Sequence, residues 1–450
     1  NTGNFQSPSL NYLLNTAYNS GARIHTNSWG SSAASNQGKY TSESEDVDDR
    51  ANNYDRVYNG VEGLTILFAA GNDGPNAGTV SSPSTAKNSV TVGNHQARYN
   101  GAPDNLMSGS SRGPTDDGRI KPDIIAPGGY VRSCRAQEAQ DIVGSSWQST
   151  WYLEYTGTSM ATPNAAGASA LIREYLLEIA QRPSPQGALI KALLVLGAQD
   201  INTRDIPNND EGWGRVNLKE TLAPSQGRGI WVDDRSVLSN TGQSKSYVFN
   251  VTFANSQLKT VLAWSDARGS RFSNNQLVNN LDLEVESPDG TIYFGNDFAN
   301  GRSTTGGTKD DVNNLEVVLI DTAMKGIWTV RVKDGLHGGS NTQPFAIAVS
   351  GQGVNDLRPD PQVVANSMIL NVSIPQVGDQ VRLTTEVFNA GNIKAESVDL
   401  AFVIDGVEED RKTVDINPGA SRQSTWYWTP SQSGTATLEL KVDPDDTVDE

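Results

Sequence analysis

Two kinds of hydrophobic spacing alternate along the first half of the chain. SLNYLLNTAYNSGA (9–22) places apolar residues at helical intervals and ends in Gly21, which predicts a helix with a glycine stop. RIHTNSWG (23–30) reads as a short strand. LTILFAAGN (64–72) is an unbroken apolar run closed by Gly-Asn, as expected of a strand covered on both faces. NSVTVGN (88–94) and KPDIIAPG (121–128) are two more strands, and ASALIREYLLEIAQ (168–181) and GALIKALLVLGA (187–198) are strong helices. This alternation predicts an α/β domain over residues 1–225 with a parallel sheet and crossover helices.

Beyond Leu222 the period shortens. SYVFNVTF, LKTVLAWSD, LDLEVESPDGTIYF, NLEVVLID, GIWTVRVKDG and PFAIAVSG are alternating strands broken by Gly, Asp and Asn. They predict an all-β jelly roll over 226–352. GQGVNDLRPDP (351–361) reads as a linker. QVRLTTEVFNAGN, ESVDLAFVIDG, SRQSTWYWTP and GTATLELKVDP then predict an Ig-like β-sandwich over 353–450, with DPDDTVDE standing where a further edge strand is expected.

Composition narrows the function. A length of 450 residues suits two or three domains. The formal net charge of −17 argues against nucleic acid and anionic membrane as partners and suits either calcium binding or solubility alone. No apolar run approaches the ~18 residues of a membrane span. The single cysteine, Cys134, excludes an internal disulfide and is expected to be half-buried and unreactive.

The chemistry gathers at TGTSMATPNAAG (156–167), where Ser159 sits between a Gly-Thr turn and a helix-forming run. A nucleophile at a helix N-terminus gains from unpaired N–H groups and the positive end of the dipole. Pro163 is expected in the first helical turn, where it loses no hydrogen bond. Read alone, GTS equally describes a helix cap. Asn72, after a buried strand, can aim an amide at an oxyanion, or can simply make an Asn-Asp-Gly turn.

GTSMATP resembles the nucleophile motif of the subtilases, the subtilisin-like serine proteases, and FAAGNDGPN, NSWG, SSRGP, KPDIIAPG and GWGRVN resemble other motifs of that family in the same order. The resemblance implies Ser159 as nucleophile and Asn72 in the oxyanion hole. It implies Ser28, Trp29 and Gly30 as the edge that binds substrate backbone, and Ala69, Ala70 and Gly71 as one wall of a roomy, apolar specificity pocket. The β region after it resembles the barrel of one subtilase branch, and residues 356–450 resemble a CARDB-type adhesion module. A secreted, monomeric endopeptidase acting on polypeptides is the function implied. The alternative is a non-catalytic extracellular binding or adhesion protein on the same scaffold.

A serine hydroxyl needs a base, and subtilases use a His oriented by an Asp. His25, His95 and His337 are the three histidines, and none lies in the family's His-Gly-Thr-His context. The chain is therefore expected to start after the Asp- and His-bearing segment, or to be one piece of a nicked enzyme, and to be inactive alone. Acidic loops of the β region add Asp266, Asp282, Asp297, Asp310 and Asp311 as calcium ligands. Related barrels carry calcium, whereas a cluster of solvated turns is the plainer reading.

Overall fold

The computed structural model describes residues 8–55, 63–97, 103–136, 145, 147–180, 182, 184–201, 203–224, 228–338, 342–356, 361–364, 367–389, 391, 394–418 and 420–445. The expected boundary at 225 and 226, residues 357–360 of the expected linker and residues 446–450 of DPDDTVDE lie outside them. The chain divides into two compact units, Asn1–Ser246 with Val251–Val354 and Tyr247–Asn250 with Asn355–Glu450.

The first unit begins with α1 (Leu10–Asn19), capped by Ser9, whose hydroxyl accepts from the Tyr12 N–H at 3.3 Å. The chain leaves it through Gly21 at φ 94°. Strands β1 (Ile24–Asn27), β2 (Thr65–Ala69), β3 (Val90–Gln96) and β4 (Ile124–Gly129) form a parallel sheet in that order. All five residues of β2 are buried, as its unbroken apolar run requires. Between β1 and β2 lies an unexpected helix, α2 (Ser42–Tyr54), capped by Thr41 and carrying Glu43 and Glu45 in its first turn, where the dipole favours them.

A small antiparallel sheet of β5 (Val131–Cys134), β6 (Trp147–Gln148) and β7 (Tyr152–Tyr155) leads into α3 (Thr158–Glu178). Cys134 is exposed there rather than half-buried, because β5 turns three of its four side chains to solvent. Helix α4 (Gly187–Leu196) is buried along its whole length. A helix apolar on every face needs cover on every face. One side of α4 packs towards the parallel sheet through Leu67 and Val92, and the other against Val261, Val317 and Ala348 of an antiparallel sheet. That second sheet aligns Leu315–Ala323, Ser256–Ala263, Ala346–Gln352 and Arg228–Asp233. Another antiparallel set joins Ile292–Phe294, Asn279–Glu286 and Gly326–His337.

Polar groups also join the α/β and β regions. Asp55, fully buried, accepts from the Gly187 and Ala188 N–H groups at 2.6 and 3.0 Å and from the Ser265 hydroxyl at 2.5 Å, and burial pushes its carboxyl up to about 6. Lys87 reaches Asp48 of α2 at 3.2 Å and Asp266 at 3.4 Å, with all three side chains shut off from solvent.

In the second unit, Val381–Asn389 pairs with Pro361–Val363, Ile369–Leu370 and Ser421–Trp428, and Ala395–Ile404 lies between Val407–Ile416 and Leu438–Val442. Leu383, Leu400, Phe402 and Trp426 fill its core, with Phe402 stacked on Trp426 at 5.6 Å.

Candidate active site

Ser159 is the second residue of α3, and Gly157 precedes the helix with its N–H donating to Gly128 O at 2.9 Å. Strand β4 and helix α3 nearly touch there. A Cβ on Gly128 would stand 2.5 Å from Asn94 Cβ, 2.6 Å from Gly157 O and 2.9 Å from Ala161 Cβ. Glycine and alanine are required for this approach, and they bring the helix start up to the sheet edge. Asn164 donates to Pro127 O at 2.9 Å and Met160 O at 3.0 Å, tying α3 to β4.

Pro163 lies in the second turn of α3, later than the sequence suggested. Its missing N–H leaves the carbonyl of Ser159 without an i+4 donor. The Ser28 hydroxyl, just beyond β1, takes that place and donates to Ser159 O at 2.8 Å, while Ser159 Oγ donates to Ser28 O at 3.2 Å. Ser159 is held at both its hydroxyl and its carbonyl by one neighbour 131 positions away.

Asn72 follows β2 across Gly71, whose φ of 113° needs a glycine. Its Oδ1 accepts from the Thr158 N–H at 3.0 Å and the Thr158 hydroxyl at 3.2 Å. The Thr158 N–H fixes the amide orientation, since the one hydroxyl proton is shared with Gly71 O at 3.2 Å, and the Nδ2 protons are left for another acceptor. Thr158 is fully buried, and its hydroxyl lies 3.3 Å from the Gly71 N–H as well.

Trp29 is 42% exposed and stands edge-on to Phe68 at 5.5 Å, so it borders solvent rather than filling the core. Gly30 is exposed, and beside it opens a cavity of about 510 Å³ walled by Asn36, Thr41 and Glu43. Ala69 and Ala70 are buried and Gly71 half-buried, so Gly71 alone of the three offers appreciable surface.

The histidines are engaged elsewhere. His25 Nδ1 lies 3.0 Å from Asn27 Nδ2, and burial lowers its pKa. His95 Nδ1 lies 2.9 Å from Gln96 O, and burial pushes the ring down to about 4. His337 Nδ1 lies 2.6 Å from Asp334 in the β region.

The five expected calcium ligands are not brought to one place. Asp266 is the partner of Lys87 and accepts from the Val278 and Asn279 N–H groups, both at 2.8 Å. Asp266 thus shares the single Lys87 ammonium with Asp48. Asp297 accepts from Thr304 Oγ1 and the Gly307 N–H, and Asp311 is exposed. Asp282 accepts from Lys309 at 2.9 Å and Asp310 from the Val312 N–H at 2.8 Å. Together they raise the pKa of Glu316, whose carboxyl burial already pushes well above its usual range. Asp282 Oδ1 and Glu316 Oε1 are buried without a hydrogen-bond partner among the described residues.

A second acidic group was not expected: Asp200, Asp205 and Glu211 bring carboxylate oxygens within 4.8 Å of one another. Both oxygens of Asp200 lack a partner among the described residues, and burial first, then Asp200, pushes Glu211 up to about 7. The signal was visible as DINTRDIPNNDEG, but it lies in the α/β region rather than in the searched β loops.

Residues 1–214 match the Subtilase family (Peptidase_S8) and residues 356–450 match CARDB. The serine protease/ABC transporter B family protein tagD of Dictyostelium discoideum is 26% identical over 440 residues, covering 68% of this chain and 24% of tagD. Serine protease AprX of Bacillus subtilis is 36% identical over 166 residues, covering 36% of this chain and 35% of AprX. The solved Prenylagaramide maturation protease PagA aligns at a TM-score of 0.36 and 20% identity, over 48% of this chain and 67% of PagA. The chain thus spans only a minor part of the length of tagD and AprX. No helix among the described residues is long and apolar enough to cross a membrane. Residues 1–214 thus carry a Subtilase-family domain and residues 356–450 a CARDB domain.

Proposed function

We propose that this chain supplies the nucleophile and the oxyanion-binding half of a secreted, monomeric serine endopeptidase that cleaves polypeptides through an acyl-enzyme. The observation that carries this reading is the orientation of Asn72 by Thr158, the residue next to Ser159. Ser159 Oγ attacks the scissile carbonyl carbon, and the charge that develops on its oxygen meets Asn72 Nδ2 and the Ser159 N–H. The base and its orienting carboxylate come from outside these 450 residues, because His25, His95 and His337 are engaged away from Ser159. Ser28, Trp29 and Gly30 bind substrate backbone, and Gly71 lines the specificity pocket above Ala69 and Ala70.

In this reading the domains run 1–225, 226–352 as a jelly roll and 353–450 as an Ig-like sandwich. Calcium fits two groups of acids: Asp282 and Asp310 with Glu316, and Asp200 with Asp205 and Glu211. The orphaned oxygens on Asp282, Glu316 and Asp200 motivate both. Calcium would supply charge neutralisation and cross-linking there, and chelation is expected to lower the melting temperature of the full chain. Asp282→Asn and Asp205→Asn each remove one part of the effect.

The test of the enzyme joins the chain to a segment bearing the family's Asp and His motifs. Peptide hydrolysis and fluorophosphonate labelling at Ser159 should appear in the joined protein and vanish in Ser159→Ala, while the chain alone shows neither at an enzyme-like rate. A joined, folded protein that neither labels nor hydrolyses peptides supports the non-catalytic binding protein instead.

A further inference from the structure

The C-terminal end of α4 and the antiparallel sheet of the first unit enclose a cavity of about 580 Å³, away from Ser159. Its wall carries the cations Arg204, Arg228, Lys259 and Arg302 against the carboxylates Asp200 and Glu220. In a chain with a net charge of −17, four cations on one wall stand out, with Asp321 a third carboxylate that pairs with two of them.

Lys259 is the most confined of these groups. It rises from strand Ser256–Ala263, is 3% exposed, and directs its Nζ to Val195 O at 2.6 Å and Ala198 O at 3.5 Å. Those carbonyls belong to the end of α4, where a cation is favoured by the helix dipole. The nearby arginines have carboxylates of their own: Arg228 pairs with Glu220, and Arg204 and Arg302 pair with Asp321. Lys259 has only the more distant attraction of Asp200, while Arg302 and Arg228 oppose its charge. Burial, with these two arginines, lowers its ammonium to about 7. Gln257 Oε1 accepts from Arg228 at 2.6 Å, which leaves its Nε2 as a further donor. Donors of Lys259, Arg228, Arg302 and Gln257 therefore border one space, which they share with Asp200 and Glu220.

We propose that this cavity binds a small multivalent oxyanion, held by Lys259, Arg228 and Arg302 between the α/β region and the antiparallel sheet. Phosphoryl and carboxylate groups share the required chemistry: several acceptor oxygens and a delocalised negative charge. Binding would neutralise the buried ammonium and clamp the end of α4 to the sheet that covers it.

The melting midpoint of the full 450-residue chain would be followed at pH 6.5 while inorganic phosphate or succinate replaces chloride, up to about 5 mM, at constant ionic strength. A saturable rise of roughly 3 °C or more with either probe is expected. A response to phosphate alone assigns a phosphoryl source, and a response to succinate alone assigns a carboxylate. The rise should disappear in Lys259→Met and shrink in Arg302→Gln, while Arg331→Gln, whose partner is Glu286 elsewhere, responds as the unaltered protein does. Lys259→Met also strips the cap from α4. If it does not fold, Arg302→Gln decides, since that side chain is 25% exposed and replaceable. No rise with either probe, or an equal rise in Arg302→Gln, overturns the proposal and leaves Lys259 as a cap on the carbonyls at the end of α4.

Discussion

Asn72 is held from the side of Ser159. The Thr158 N–H donates to its Oδ1, which ties the amide to the start of α3 beside Ser159. In the enzyme completed with its His and Asp, Asn72→Ala should lower kcat by about 10²–10³ with KM little changed. Thr158→Val keeps the backbone donor and should cost less; equal losses in steady-state assays would mean that Thr158 does more than orient the amide. Ser159 and Asn72 could be singled out in the sequence because the motif around each is a few adjacent residues. The role of Ser28 towards Ser159 could not, although Pro163 stood in plain view, because the missing donor is made good from across the fold. His95 yields a pH prediction. It is 2% exposed, Nε2 has no partner among the described residues, and burial lowers the ring from 6.5 to about 4. Between those values the unfolded chain binds a proton that the folded chain refuses. Stability should therefore fall as pH drops from about 6.5 to about 4, by up to ~3 kcal/mol. Melting curves of His95→Gln should be flatter across that window.

At the scale of elements, strands β2 to β4 and helices α3 and α4 were readable because their apolar runs are long and unmixed. Helix α2 was not, although Val47, Ala51 and Tyr54 keep helical spacing and are all buried. Its carboxylates mask the stripe, and two polar residues on the buried side, Asp48 and Asn52, are satisfied only in the folded protein by Tyr40 OH and by Ser265 O. Strand Val407–Ile416 escaped for a related reason, since most of its side chains face solvent and its charges read as a loop. The approach of β4 to α3 is the element-scale feature most exposed to test. Gly128→Ala forces a methyl against Asn94, Gly157 O and Ala161. It should destabilise the protein by about 1–3 kcal/mol. Because the strain falls at the start of α3, fluorophosphonate labelling of Ser159 in the completed enzyme should slow at temperatures where the variant is still folded.

Across the first unit, the alternating pattern foretold strands but not how they are fastened. Asp266, one of the five residues expected to hold calcium, meets Lys87 and, through it, Asp48. Neither the alternation of strands nor the clustering of Asp could reveal that, because the ion pair exists only once two distant segments meet. Lys87→Met should cost about 3–5 kcal/mol by leaving two buried carboxylates unpaired. Adding Asp48→Asn and Asp266→Asn to Lys87→Met should recover most of the loss in chemical denaturation, whereas independent sites would add their costs. This shared lysine also constrains heredity. Recombination that places another relative's β region behind this α/β region leaves Lys87 facing an unmatched surface. The two regions should therefore pass between lineages as one cassette, with the breakpoints of viable chimaeras falling outside the stretch from Asp48 to Asp266.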